Sequence, residues 1–385
     1  MTMTAAENDM FTRVGPGTPA GEMHRRYWHP IGFTKELKGR PVRKRLLGED
    51  LVLFQDEMGR LGLLGLRCPH RGTSLELGYL EDGGLRCCYH GWLFDVTGAC
   101  LEQPCEPPEH NFKDKVQHLA YEVQELSGLI FAYMGPKPAP LLPRYDVLVR
   151  EDGVRSMWGR MMSANYFQMV ENTVDQHHFR WLHRKPSSAM WRNISLESHV
   201  TDFGIRDHYS RQIDGELCTT TSYFIMPTMN KTGYHVDHDH PGSIVASHVG
   251  YEALRWRVPA DDTHTIHVTV LFAPFVDGKA AELRPDGQDK GIAESPYGVY
   301  SWDETTNHLG RNDQDRAAQE SQGEICDRTM EHLGSSDEGV ILLRKIYREA
   351  MEDVRQGRDP RGVVRDPERN EMIKVIPSEV LTPVD

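Results

Sequence analysis

The sequence is poor in long apolar runs, in positive charge and in internal repetition, and each shortage excludes something. No apolar stretch approaches the roughly 20 residues that a membrane helix needs; 129–134 is representative of the longest. The opening residues, MTMTAAENDMFTRVGPGTP, have neither a basic start nor an apolar core, so they do not read as a secretory leader. A cytoplasmic protein is the expectation. Lysine and arginine number 44 against 57 aspartates and glutamates, a net charge of -13. A surface of that sign repels phosphate backbones, and no dense Lys/Arg stripe reverses it locally, which argues against nucleic acid as a partner. The seven cysteines should stay reduced in such a compartment, so those that cluster with histidine point to metal before disulfides.

A chain of 385 residues exceeds one comfortable core and reads as about two domains. From 27 to 135 short strand-like runs alternate with glycine turns (51–55, 61–66, 85–87, 92–95, 129–133), the pattern of a small antiparallel β domain. The segment Pro136-Lys137-Pro138-Ala139-Pro140 continues neither strand nor helix and reads as a linker. Beyond it, 168–183 has helical periodicity, and 219–225, 243–248 and 265–272 read as strands. The stretches 314–331 and 337–354 read as helices, the second capped by Ser335 or Ser336, and the tail from Arg358 as extended. The expected fold class is α+β. A small antiparallel β domain (27–135) precedes a larger α+β domain (141–385) with an antiparallel sheet and C-terminal helices, and residues 1–26 pack against the latter.

Two constellations carry chemistry. In the first, Cys68-Pro69-His70 is followed by Cys87-Cys88-Tyr89-His90, each half supplying one thiolate and one imidazole in a glycine-bearing turn. A two-iron, two-sulfur cluster with two Cys on one iron and two His on the other needs that supply, and two loops can clamp it from both sides. A structural zinc site is the alternative, although zinc modules usually take both cysteines from one knuckle and both histidines from another. In the second constellation, Asp175, His178 and His183 place an acid three residues before two histidines five positions apart. Two His and one carboxylate on one face form the non-haem iron arrangement that leaves positions open for dioxygen. In an ideal helix a five-residue step turns about 140° net, so the helix must end or bulge between His178 and His183.

Cys-Pro-His-Arg-Gly (68–72) and Cys-Cys-Tyr-His-Gly-Trp (87–92) resemble the Rieske signature. By that pattern Cys87, not Cys88, is the ligand beside Cys68, His70 and His90. Cys100, Cys105, Cys218 and Cys326 then read as packing residues. Asn172, Asp175, His178 and His183 match residue for residue the motif Asn-x-x-Asp-x-x-His-x-x-x-x-His of the Rieske non-haem iron oxygenases. The resemblance implies a [2Fe-2S] cluster and a mononuclear Fe(II). It also implies that Asp175 bridges the iron site to the His90 of a neighbouring subunit, and hence a ring-shaped homotrimer. The segment 312–322 resembles the helix that gives the family its third iron ligand, with Asp315 chosen, Asp313 its rival and Glu320 a supporting or solvent residue.

Flanking matches at 14–19, 25–28 and 333–337 near Arg344 look like the phthalate dioxygenase and dehydrodivanillate O-demethylase branch. That likeness implies an α (oxygenase) subunit served by a separate flavin and iron–sulfur reductase that draws on NAD(P)H. It would act with O2 on an aromatic, carboxylated substrate by O-demethylation or hydroxylation, with cis-dihydroxylation as the alternative outcome. Arg206, Arg211, Arg255 and Arg257 are the cationic candidates for the substrate's carboxylate. The readings from other classes are a Rieske-type electron carrier without oxygenase activity and a zinc-stabilised structural protein.

Overall fold

The computed structural model describes residues 3–182, 192–213, 216–234, 250–279, 290–293 and 311–383. Two helices lead, α1 (Ala5–Thr12) and α2 (Pro19–His24). Thr4 and Glu7 form a capping box on α1, and Thr18 with Pro19 at the first turn starts α2. Ten strands come next: β1 (Trp28–Phe33), β2 (Val42–Leu46), β3 (Glu49–Gln55), β4 (Leu61–Gly65), β5 (Tyr79–Glu81), β6 (Gly84–Arg86), β7 (Leu93–Phe94), β8 (Cys100–Glu102), β9 (Ala120–Leu126) and β10 (Leu129–Tyr133). They form a six-stranded sheet, β1-β10-β9-β4-β3-β2, and a four-stranded sheet, β5-β6-β7-β8, both antiparallel.

After α3 (Asp146–Val149) the chain lays down β11 (Gly153–Met162), α4 (Tyr166–Val174) and α5 (His178–Trp181). A run of strands succeeds them: β12 (Arg192–Val200), β13 (Gly204–Ile213), β14 (Glu216–Ile225), β15 (Met229–Tyr234), β16 (Tyr251–Pro259), β17 (Thr265–Pro274) and β18 (Lys290–Ala293). Helices α6 (Arg311–Glu320) and α7 (Glu338–Arg355) precede a last strand, β19 (Ser378–Pro383). Among the described residues the large sheet runs β12-β13-β14-β15-β16-β17-β11-β18, with β19 pairing β14. It is antiparallel except for the β11–β18 pair. The α+β architecture stands as expected.

Several local expectations change. The expected helix over 168–183 is two pieces, because Asp175 leaves helical geometry (φ -95, ψ 93). The helix expected to run to 331 stops at Glu320. Neither serine caps α7: Ser335–Asp337 winds into a single 3-10 turn and Asp337 takes the N-cap position. The tail does not stay merely extended, since β19 fills the edge of β14 where β15 diverges. The expected strand 243–248 lies outside the described residues.

One core runs from the N-terminal helices through β1 and β10 into α4, α7 and the large sheet, with Phe11, Ile31, Phe167, Phe224 and Tyr347 almost solvent-free. The leading helices clamp α4. Phe11 stacks on Phe167 at 4.8 Å, and the hydroxyl of Tyr166 donates to the Phe11 carbonyl at 2.6 Å. A second core, around Leu64, Leu75, Trp92 and Phe94, sits beneath Cys68 and Cys87.

Candidate metal centres and the cavity beside them

The two Cys/His loops share one backbone frame. The N–H of Cys68 donates to the Thr73 carbonyl (2.9 Å) and the N–H of Gly72 to the Cys68 carbonyl (2.8 Å). In the second loop the N–H of Cys87 donates to the Trp92 carbonyl (2.8 Å) and the N–H of Gly91 to the Cys87 carbonyl (3.0 Å). Each frame closes on a glycine with positive φ, +77° at Gly72 and +74° at Gly91, a conformation that side chains with a Cβ rarely adopt. At Gly91 a Cβ would also stand 2.7 Å from the Pro104 ring. The histidine sits one position later in the second loop, which is how Cys-x-His and Cys-x-x-His occupy the same ring.

Both thiols lie at the bottom of this socket, Cys68 at 2% and Cys87 at 3% exposure, and no cysteine of the described structure is in a disulfide. Burial, reinforced by the neighbouring Cys87, pushes the Cys68 thiol up to about 12. A thiolate there needs a cation. The imidazoles lie nearer the surface, with His70 and His90 edge to face at 4.6 Å and His70 stacked on Trp92 within 2° of parallel. Partial desolvation, then His70 and Arg71, hold His90 below the usual imidazole range, in the neutral form that ligates metal.

Among the described residues no three His, Cys, Asp or Glu side chains converge on a point that could hold one ion. A two-iron cluster asks for a sulfur pair and a nitrogen pair on separate irons, and Cys68 with Cys87 and His70 with His90 can supply it. Cys88 is an exposed bystander. Cys105 is not the packing residue expected: it is exposed, and its Sγ donates to the His90 carbonyl at 3.6 Å.

The second centre is built where α4 breaks. The N–H of His177 donates to Asp175 Oδ1 at 3.0 Å, and the Nδ1 of His178 hydrogen-bonds the Asp175 carbonyl. A carbonyl accepts only, so Nδ1 carries the proton and Nε2 is left with its lone pair for a metal. That Nε2 lies 3.5 Å from Asp315 Oδ1. Helix α6 is tied across α4 by Gln168, whose amide donates to the carbonyls of Gln319 (2.8 Å) and Gly323 (2.9 Å), and this carries Asp315 over His178. Helix α5 ends at Trp181, between the two histidines of the motif. His183 and the side chain of Asp313 lie outside the described residues. Glu320 is buried rather than solvent-facing, and accepts from the N–H of Ser163 at 3.1 Å.

A cavity opens beside His178 and Asp315, and its sheet wall presents Asn230, Thr232, Arg255, Arg257 and His267. The alternation of β15 and β16 puts Asn230, Thr232, Arg255 and Arg257 on one face, with His267 of β17 paired to Arg257, while Lys231, fully buried on the other, pairs with Asp146 at 2.6 Å and Glu252 at 2.8 Å. Arg255 donates to Thr232 Oγ1 at 2.8 Å; Arg257 donates to Asn230 Oδ1, and to the Arg255 carbonyl at 3.2 Å. Neither guanidinium has a carboxylate in salt-bridge contact among the described residues. Burial and then the charge of Arg255 push Arg257 down to about 9, with Asp315 opposing. Burial and the same arginines push His267 well below the usual range, so it is neutral. Of the other candidates, Arg206 is exposed on β13 and does not line the cavity, and the side chain of Arg211 is outside the described residues. Asn230, Thr232 and His267 were missed in the sequence, where only the strand alternation around Lys231 hints at them.

Residues 27–122 match the Rieske [2Fe-2S] domain family. The chain is 36% identical to the 5,5'-dehydrodivanillate O-demethylase oxygenase subunit of Sphingobium sp. (strain NBRC 103272 / SYK-6), over 96% of this chain and 86% of that protein. It is also 36% identical to the phenoxybenzoate dioxygenase subunit alpha of Ectopseudomonas oleovorans, over 91% and 86% respectively. The fold is similar to that of dicamba monooxygenase bound to dicamba, with a TM-score of 0.66 at 17% identity, over 87% of this chain and 99% of that one.

Proposed function

The chain belongs to the Rieske non-haem iron oxygenases as an oxygenase (α) subunit, and from that membership we propose that it O-demethylates or hydroxylates an aromatic carboxylate with electrons from a separate NAD(P)H-dependent reductase. Cys68, His70, Cys87 and His90 hold the cluster; His178, His183 and Asp315 hold the lone iron. When bound, the cluster delivers single electrons and the iron activates dioxygen. Asp175 joins the two centres. Its Oδ1 takes the His177 N–H, and its second oxygen serves the half-exposed His90 of a neighbouring copy, which makes the assembly a ring, a homotrimer.

The observation that carries the substrate class is the pair of guanidiniums in the cavity wall. A part-buried cation without a carboxylate is costly, and both arginines are already braced by Thr232 and Asn230, so their remaining donors are aimed before substrate arrives. A planar carboxylate satisfies them two at a time. The ring is then held with its far end toward His178 and Asp315.

The test is a panel of methoxylated and unmethoxylated aromatic acids, with their methyl esters, offered to the purified protein with a surrogate reductase. Substrate-dependent O2 uptake is expected with the acids, and release of one formaldehyde per methoxyl marks demethylation. Arg257→Met should raise KM for the acid roughly 10- to 100-fold, the loss of a charge-assisted hydrogen-bond pair, and leave KM for the ester nearly unchanged. Equal turnover of acid and ester by the wild-type protein would remove the anion from the reading.

A further inference from the structure

The turn Val174-Asp175-Gln176 is gripped from three elements that carry no metal ligand. On the α7 side, Gly339 approaches so closely that a Cβ there would stand 2.2 Å from the Val174 carbonyl oxygen and 3.4 Å from Ser198 Oγ. On the sheet side, Asp207 of β13, 1% exposed, accepts from the side-chain amide of Gln176 at 3.2 Å and from Ser198 Oγ of β12 at 2.7 Å. Gln176, itself 3% exposed, spends its other amide contact on the Thr173 carbonyl at 3.1 Å, closing the end of α4. Glu338 completes the ring by accepting the N–H of Ser198 at 3.2 Å.

This is an expensive arrangement for a single turn. Burial, against the hydrogen bonds from Ser198 and Gln176 and with Glu338 adding to it, pushes the Asp207 carboxyl up to about 7. A carboxyl group is kept out of water to hold a glutamine and a serine, and that glutamine stands between the residue proposed to carry electrons and the residues that lead on to the iron. The same turn performs two tasks at once: the Asp175 side chain takes the His177 N–H, while its carbonyl fixes the Nδ1 proton of His178. A shift of the turn would disturb both.

We infer that Asp207 and Gly339 are positioning residues for the electron bridge, locking the Asp175 turn between β13 and α7 through Gln176 and Val174. The inference rests on the reading of Asp175 as the bridge. Its specific content is that geometry, not the charge of Asp207, is what matters. An asparagine at 207 can still accept from Gln176 through its oxygen and donate to Ser198 through its amide, whereas an alanine can do neither.

The test compares Asp207→Ala, Asp207→Asn, Gly339→Ala and Asp175→Asn in the cluster- and iron-loaded protein. Two readouts are taken: the rate at which the reduced cluster is reoxidised in a single turnover with substrate and O2, and amide hydrogen exchange over 170–178. Iron and sulfide content and thermal midpoint confirm folding. Asp207→Ala and Gly339→Ala should slow reoxidation roughly ten- to hundred-fold, the cost of a misplacement of about 1 Å, and should accelerate exchange in 170–178. Asp207→Asn should keep most of both. Asp175→Asn should slow reoxidation with exchange unchanged. Should Asp207→Asn prove as slow as Asp207→Ala, or should the alanine and Gly339 variants exchange and react like wild type, the socket is wrong. Should Asp175→Asn transfer normally, it is the bridge itself that fails. If Asp207→Ala does not fold, Gly339→Ala and Asp207→Asn decide the matter.

Discussion

Reach makes Asp315 the aspartate proposed to complete the iron's ligand set. Asp315 Oδ1 is 3.5 Å from the nitrogen of His178 that is free to ligate, close enough for one ion to sit between them with little movement. Asp315→Asn should therefore lower metal content from about three irons per chain toward about two, with the visible spectrum of the cluster kept. Asp313→Asn should leave the count alone. Loss of the third iron in the Asp313 variant instead would exchange the two roles. In sequence the two acids are two positions apart on one helix and nothing in their spacing chooses between them; the closeness of Asp315 to His178 depends on Gln168, far upstream, fastening α6 at Gln319 and Gly323.

Helix α4 is the element on which the second centre depends, and it is fastened by buried charge. Glu171 accepts from Arg328 at 2.6 Å and from Arg344 at 2.6 Å, while Arg344 also reaches Glu331. Burial alone would push the Glu171 carboxyl up; Arg328 and Arg344 outweigh it and hold it below the usual range. Arg328 is solvent-free and lies over the Phe167 ring at 4.8 Å. Breaking a buried pair costs about 3–5 kcal/mol, so Glu171→Gln should lower the thermal midpoint by roughly 5–10 °C, measured by calorimetry on the metal-loaded protein. A midpoint within about 2 °C of wild type would show the network to be energetically idle. The elements legible in the sequence were those whose pattern is local: the alternating strands of the first domain, the glycine frames around Cys68 and Cys87, and the amphipathic α7. The break at Asp175 was not legible, because what ends α4 is a tertiary grip by Asp207 and Gly339, residues that are 32 and 164 positions away. The tail strand β19 was missed for the same reason, since its partner Thr219–Thr221 edge exists only once β15 has turned away.

At the scale of the whole molecule, the first centre is built from loops of the small sheets and the second from α5 and α6, and the imidazole side of the first faces outward, with Tyr89 57% exposed beside His90. That placement suits transfer between copies rather than within one. Mixing subunits tests it. A variant with His90→Ala should lack a working cluster and one with Asp175→Asn the proposed bridge, so that each should be inactive alone. Dissociated and reassembled together, they should regain a substantial fraction of wild-type O2 uptake if, as proposed, a His90 from one chain meets an Asp175 from another. No recovery in assemblies shown by light scattering to contain both chains would place the electron path inside one chain.

The twin loops carry a last consequence. Their shape is written in backbone hydrogen bonds and two left-handed glycines, with the sulfurs below and the nitrogens at the rim, and none of that scaffolding is itself a ligand. The shape of the site is thus set by main chain, and a side chain added at either glycine would misplace the sulfurs with all four cysteines and histidines kept.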